Sequence, residues 1–327
     1  PGVSDEPLAG VEGKRVECDV LDRRAVRRVV KGAERVFHCA GLTSVRPTDS
    51  ERLFDVNVGG TKTVLEECLR SEVGRVVLNS SSAALGPAGR GKTADETQLF
   101  TAGRLGIPYV NSVHEAEVEA MRLAAQGLPL VCVNPCVVFG AGDYNLSSTR
   151  IVRSFLLGRV PMYVDGAFSM VDVRDVAEGV VAADELGAVG ERYILGGRNF
   201  TFDRLFADLA RLSGIDPPVK LSAGAALAAA SALGDRAPLR TEEVRAASNW
   251  WTYRSTKARR ELNWRARPHE ETLEATVEWH LDREHDRIAR TRRSQQIQYR
   301  LAGAAIRVGE GAAGVASQLL RRRSWLV

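Results

Sequence analysis

Short apolar runs rich in β-branched residues alternate with longer stretches of three-to-four periodicity over the first 200 residues or so. Arg15–Val20 reads as a strand. Asp22 then precedes Arg23–Lys31, where Ala25, Val26, Val29 and Val30 share one face and Gly32 closes the pattern, as in a capped helix. Arg35–Ala40 reads as a buried strand and Ser50–Val73 as a long helix with Leu53, Val56, Val64, Leu65 and Leu69 inward. Arg75–Asn79 is the next strand, followed by a loop rich in Gly, Pro and Ala up to Gly106, a helix over Tyr109–Gly127 and a strand over Pro129–Asn134. Strands separated by helices of this length predict βαβ units, hence an α/β fold with a parallel sheet. Such crossovers are right-handed and place ligands beyond the carboxyl ends of the strands.

Past Pro135 the rhythm changes. Met162–Asp165, Phe168–Val173 and Arg192–Gly196 read as short strands, with helices at 175–186, 202–213, 223–233, 240–248 and 269–290. The organisation expected is a partial Rossmann-like nucleotide-binding domain over 1–134, mainly a substrate domain over 135–282, and a tail over 283–327. Within the second region, 171–186 is a candidate to return to the sheet. Trp250, Trp251 and Trp264 are expected to pack the second domain, and Asp172 and Asp175 to be structural.

Composition narrows the class without choosing a chemistry. Hydrophobic residues are 44% and charged residues 26%, so a packed core is affordable and a disordered chain is excluded. The longest charge-free apolar stretch, Ala223–Gly234, is too short and alanine-rich to span a bilayer. Pro1–Asp5 has neither the basic nor the apolar part of a signal peptide. Cys18, Cys39, Cys68, Cys132 and Cys136 are scattered without a CxxC pair, which fits a reducing cytoplasm and no zinc site. Of the net charge of +4, the basic part lies in 283–327, with ten arginines against Glu284, Asp286 and Glu310. The body carries a small negative balance, so nucleic acid is not an expected partner. In the tail, Ile297, Leu301, Ala304, Val308, Val315 and Leu319 form one apolar stripe, ending in Arg321–Arg323 and Trp325. That pattern is compatible with peripheral membrane contact or with packing on the body or a second copy in a homodimer.

A dinucleotide-binding sheet normally opens with a strand, a glycine-rich turn and a helix whose N-terminus holds the pyrophosphate. The sequence contains no such segment ahead of what reads as a third strand. A fragment of a longer product and a degenerate relative are both consistent with that, and either predicts weakened cofactor binding.

Several segments together resemble the extended short-chain dehydrogenase/reductase family, also called the NAD-dependent epimerase/dehydratase family. They are Cys18–Asp22, Val36–Gly41, Asn57–Thr61, Val76–Ser82, Tyr109, Asn134–Pro135 leading to Gly140, Val171–Ala177, Gly190–Gly197 and Ser255–Leu262. The match covers about 1–285 and looks most like the dihydroflavonol-reductase-like and hopanoid-associated sugar-epimerase-like branch. The resemblance implies NAD or NADP as cofactor and hydride exchange with a carbinol or carbonyl carbon of a small-molecule substrate, a sugar nucleotide or a ketone. It implies that Asp19 and Val20 flank the adenine, that Ala40 and Gly41 let the cofactor approach, and that Asn57 braces the end of their strand. Asn134 and Pro135 would complete the cofactor site, Ser81 would orient the carbonyl, and Tyr109 would be the acid/base. The residue that separates NAD from NADP would lie on a strand the sequence does not contain.

One departure bears on the chemistry. The family places a lysine four residues after its tyrosine, where this chain has Val113. A phenol with a pKa near 10 is a poor base at neutral pH unless a cation lowers it. Impaired catalysis, or a non-catalytic nucleotide-binding or regulatory role, is therefore expected beside the active-enzyme reading. His114, about 500° around the helix from Tyr109, points elsewhere. Lys92 sits on the loop, and His38 is expected to be a core histidine.

Overall fold

The computed structural model describes residues 8, 10–44, 46–160, 162–233 and 239–291. The apolar stripe and terminal arginines expected within 292–327 lie outside them. Among the described residues, no helix is long and apolar enough to cross a membrane, and no cluster of His, Cys, Asp or Glu could hold a metal ion.

The chain forms two compact units. The first takes in residues up to Thr149, Ala167–Phe200 and Asn249–Thr276. It therefore runs past the boundary expected at 134 and takes back two later segments. Trp250, Trp251 and Trp264 belong to this unit rather than to the second.

Helix α1 (Arg23–Val30) starts where Asp22 accepts from the amides of Arg24 and Ala25 at 2.9 and 3.1 Å. It buries Ala25, Val26 and Val30, but Val29 faces outward. Strand β1 (Arg35–His38) follows. The long helix expected next is broken in three: α2 (Ser50–Phe54), a π turn (Asp55–Gly60) and α3 (Thr61–Arg70). Val20 explains the small residue at the end of that π turn, since a Cβ on Gly60 would lie 2.6 Å from its methyl. Then come β2 (Arg75–Asn79), α4 (Pro108–Ala125) and β3 (Leu130–Pro135). Later elements of this unit are β4 (Val137–Phe139), β6 (Ala167–Asp172), α6 (Val173–Leu186), β7 (Arg192–Leu195), β8 (Arg198–Thr201), β10 (Trp250–Trp251) and α10 (Thr256–Glu261).

The principal sheet is parallel throughout, in the order β1-β2-β3-β7. Within 171–186, Val171 and Asp172 end β6 of a second sheet, and α6 leads on to β7, the strand that joins the principal sheet. Alternation along the strands splits the core. Val76, Leu78, Leu130 and Cys132 pack with α1, α3 and α4, while Val77, Val131, Val133 and Tyr193 pack with residues of α6 and α10. The strand expected over Arg15–Val20 makes no ladder. Among the described residues β1 pairs with β2 alone, and a lone extended segment gains nothing from its β propensity. A second small sheet runs β10-β6-β4, with β8 beside β6. Its strands β4, β8 and β10 are two to four residues long, too short for a period to register in the sequence. Asp172 ends β6 and caps α6 by accepting from the Arg174 amide at 2.8 Å.

Among the described residues, the second unit comprises those of Arg150–Gly166, Thr201–Ser248 and Val277–Thr291. It contains α5 (Arg150–Leu156), β5 (Met162–Val164), α7 (Phe202–Ser213), β9 (Val219–Leu221), α8 (Ala223–Leu233) and α9 (Thr241–Ala247). Strands β5 and β9 pair in parallel, and Val164, Ala226, Ala230 and Val244 form a core beneath them. Helix α11 (His269–Thr291) is the last described element.

Candidate active site

The carboxyl end of β2 and the first turn of α4 bring the two expected hydroxyls together. Ser81 is in extended conformation (φ −154°, ψ 149°), and its side chain accepts from the Ala83 amide at 3.2 Å to open a 3₁₀ turn over Ser82–Leu85. Tyr109 follows Pro108, whose fixed φ suits a first helical turn. The Ser81 hydroxyl neighbours the Tyr109 phenol and acts on it. Burial pushes the Tyr109 phenol above its usual value, and the Ser81 hydroxyl pulls the other way. No cation is among the groups acting on it.

Beside this pair lies a cavity of about 160 Å³, lined by the Cys39–Thr43 loop, Asn57, Asn79, Ser80, Tyr109 and Val113 among others. Asn57 holds the loop in place. Its Oδ1 accepts from the Leu42 amide at 2.8 Å, and its Nδ2 donates to the Leu42 carbonyl and to Ser112 Oγ at 3.0 and 2.9 Å. Ser112 in turn donates to the Tyr109 carbonyl at 2.9 Å, so the loop after β1 and the helix of Tyr109 share one bracket. The π turn supplies the register that aims Asn57 inward. A Cβ on Gly41 would sit 3.4 Å from Asn57 Oδ1, so the loop carries little bulk here.

The cavity suits the nicotinamide–ribose end of a dinucleotide. Ala40 and Gly41 offer approachable backbone, and Asn79 Oδ1 is buried without a hydrogen-bond partner, an acceptor awaiting a donor.

The remaining expected residues are placed elsewhere. Asp19 accepts from the Leu21 amide at 2.9 Å within a turn, and Val20 packs against Gly60. Neither lines the cavity. Asn134 is fully buried behind Ser81, donating to the Ser81 carbonyl at 3.1 Å and to Glu117 Oε2 at 2.6 Å. Pro135 ends β3 opposite Leu195, inside the sheet. His38 is buried with Nε2 3.1 Å from Thr61 Oγ1, and burial lowers its pKa to about 4. His114 turns away from Tyr109, with Nδ1 2.9 Å from the Ala84 carbonyl and its ring stacked on Phe100 at 3.7 Å.

Sequence reasoning missed the supports of the Ser81 loop. Glu117 is a buried carboxylate eight residues after Tyr109 on the same helix. Tyr253 Oη donates to the carbonyls of Ser82 and Gly86 at 3.0 and 2.8 Å, and Gln98 Nε2 to those of Gly86 and Pro87 at 3.1 and 2.8 Å. The one signal available was Glu117, an acid in an otherwise inward register of an amphipathic helix.

A family model, described as NAD dependent epimerase/dehydratase family, matches residues 3–196. The chain belongs to that family. Among curated relatives, it is 34% identical over 212 residues to sterol demethylase protein B of Methylococcus capsulatus, spanning 64% of each chain. It is 35% identical over 194 residues to a dihydroflavonol 4-reductase-like protein of Synechocystis, spanning 58% of this chain and 57% of that one. The chain thus spans about three fifths of the length of these two relatives. A nucleoside-diphosphate-sugar epimerase from Pseudomonas aeruginosa has a similar structure, with a TM-score of 0.71 and 25% identity over 86% of this chain and 87% of that one. Reductases, epimerases and dehydratases of this NAD-dependent family share the α/β parallel-sheet fold described above. Val113, four residues after Tyr109, lies on the wall of the cavity.

Proposed function

We propose that the cavity between the Cys39–Thr43 loop and α4 is the site of an NAD(P)-dependent reductase or epimerase. The substrate would present a carbonyl or carbinol carbon on a ketone or a sugar nucleotide. The observation that carries this reading is the Ser81–Tyr109 hydroxyl pair beside a cavity at the carboxyl ends of parallel strands. Ala40, Gly41 and Asn79 would receive the nicotinamide–ribose end, which when bound supplies or takes the hydride. Ser81 would donate a hydrogen bond to the substrate oxygen, orienting it and stabilising the charge that develops there. Tyr109 would pass the proton to that oxygen.

The raised pKa of Tyr109 gives that role a direction. A phenol held above its ordinary value keeps its proton at neutral pH, so it can donate in carbonyl reduction and is a poor base for carbinol oxidation. Val113 brings no charge to alter this. The same two features favour the second reading, a relative that binds nucleotide without turnover.

One pair of variants separates the readings. Turnover is followed as NADH or NADPH consumption with ketone substrates, and as reduction of either cofactor with the alcohols, in the intact gene product. Tyr109→Phe should abolish both directions. Val113→Lys should raise alcohol oxidation about ten-fold or more by favouring the phenolate. Turnover indifferent to both changes would remove Tyr109 from the chemistry, and no turnover in any variant would leave the binding role.

A further inference from the structure

We propose that Glu117 is a positioning residue that fixes Ser81 against Tyr109, acting through Ser80 and Asn134; this rests on the reading of the Ser81–Tyr109 pair given above. Two donors and a guanidinium from successive parts of the sheet converge on this one side chain. Ser80 Oγ donates to Oε2 at 2.5 Å and Asn134 Nδ2 donates to the same oxygen at 2.6 Å. Arg192 Nη1 lies 3.1 Å from Oε1. The Glu117 side chain is only 3% exposed, so its charge is kept from water and answered by these partners alone.

The chemistry of the cluster selects the residue. A carboxylate accepts on both oxygens, whereas an amide accepts on one end and donates from the other. Ser80 and Asn134 both donate to Oε2 and the Arg192 guanidinium faces Oε1, so a glutamine of the same size would turn an N–H toward one of these groups. A carboxylate therefore matches the facing guanidinium, where an amide would set an N–H against it.

The cluster is directly behind the reacting hydroxyls. Asn134 Nδ2, held by Glu117, also donates to the Ser81 carbonyl at 3.1 Å. Ser80, held by Glu117 through its hydroxyl, has its amide on the Val133 carbonyl at 2.9 Å. The peptide after Ser81 and the one before Ser80 are thus pinned. The pin comes from α4, which also carries Tyr109, about 12 Å back along the axis. One rigid helix therefore sets Tyr109 directly and Ser81 by way of Glu117. Hydroxyls that must share a substrate oxygen lose rate steeply when their spacing drifts.

Glu117→Gln in the intact protein tests this, with Tyr109→Phe in parallel. Hydrogen exchange over residues 80–86 should quicken about ten-fold while exchange in the strands is unchanged. Turnover of a ketone should fall about ten-fold or more in kcat, with KM and the dissociation constant of NADH or NADPH moving less than about two-fold. A lesion of stability alone would spread through the exchange of the whole sheet and would not divide kcat from KM. If Glu117→Gln does not fold, Ser80→Ala removes a single arm of the cluster and should show the same pattern more weakly. Unchanged exchange over 80–86 overturns the proposal, as does unchanged kcat in a protein whose Tyr109→Phe variant is inactive. Should Tyr109→Phe retain full turnover, the assignment of the site fails, and hydrogen exchange alone decides whether Glu117 holds the loop.

Discussion

His38 shows what a single residue can contribute once its surroundings are known. Its ring lies between the sheet and α3, 3.1 Å from Thr61 Oγ1, and desolvation lowers its pKa to about 4. The unfolded chain protonates this histidine at its ordinary value near 6.5. Between those values the unfolded state binds more protons, so stability is full above the unfolded value and is lost as pH falls through the folded one. The loss by pH 4 amounts to about 3 kcal/mol. Urea unfolding at pH 7 and at about 4.5 should show it as a lower midpoint in acid, and His38→Gln should remove that part of the slope. Equal acid sensitivity in the variant would assign the effect to the carboxylates. Tyr109 is displaced by the same force in the other direction, since burial penalises phenolate as it penalises imidazolium. The identity of these residues, including Val113, was legible in the sequence. The sign of each shift depends on what surrounds it.

Helix α6 illustrates how a fold is fixed between elements. It crosses from β6 to β7 with Gly179 at its closest approach to the sheet. A Cβ there would lie 2.6 and 2.8 Å from the two Leu195 methyls and 3.0 Å from Trp264 Nε1. Leu195 is fully buried, and Trp264 Nε1 already donates to the Asp175 carbonyl at 2.7 Å, so neither can move aside cheaply. Alanine would add about 1 kcal/mol of helix propensity. Overpacking costs typically about 1–3 kcal/mol and more where no neighbour yields. Gly179→Ala should therefore lower the melting temperature; an unchanged or higher value would mean that Leu195 finds another rotamer. The sequence located α6 to within two residues at its start, because its period of 3.6 persists over fourteen residues. It gave no hint that Gly179 is a contact point, since a glycine in a helix reads equally as a weak spot. The π turn was hidden for a similar reason. Leu53, Val64 and Leu65 keep an inward register across Asp55–Gly60, and one extra residue in the turn leaves little trace in a hydrophobic pattern.

At the scale of the whole molecule, positive charge is concentrated in one segment. Ten arginines and three acids lie in 283–327, where the apolar stripe falls on residues outside those the structure describes. We expect this segment to add affinity for an anionic bilayer, through basic residues that each contribute about 1 kcal/mol near such a surface. Sedimentation with phosphatidylglycerol vesicles should pellet the full chain more than a 1–290 truncation. Equal pelleting would show that the segment is no anchor, and added salt should weaken any difference.

The sequence by itself determined the α/β class, the strands β2, β3, β6 and β7, most of the helices, and the two hydroxyl residues at the candidate site. These follow from local period and from motifs at fixed spacing, both of which a linear string retains. Tertiary structure alone decided that 167–200 and 249–276 join the first unit, that Arg15–Val20 forms no ladder, and that the short strands β4, β8 and β10 exist at all. It also decided that Asn134 stands behind Ser81, and that Ser80, Asn134 and Arg192 meet at Glu117. Each of these depends on partners distant in the chain, and pairing between distant residues is set by how the elements pack, which no local pattern encodes.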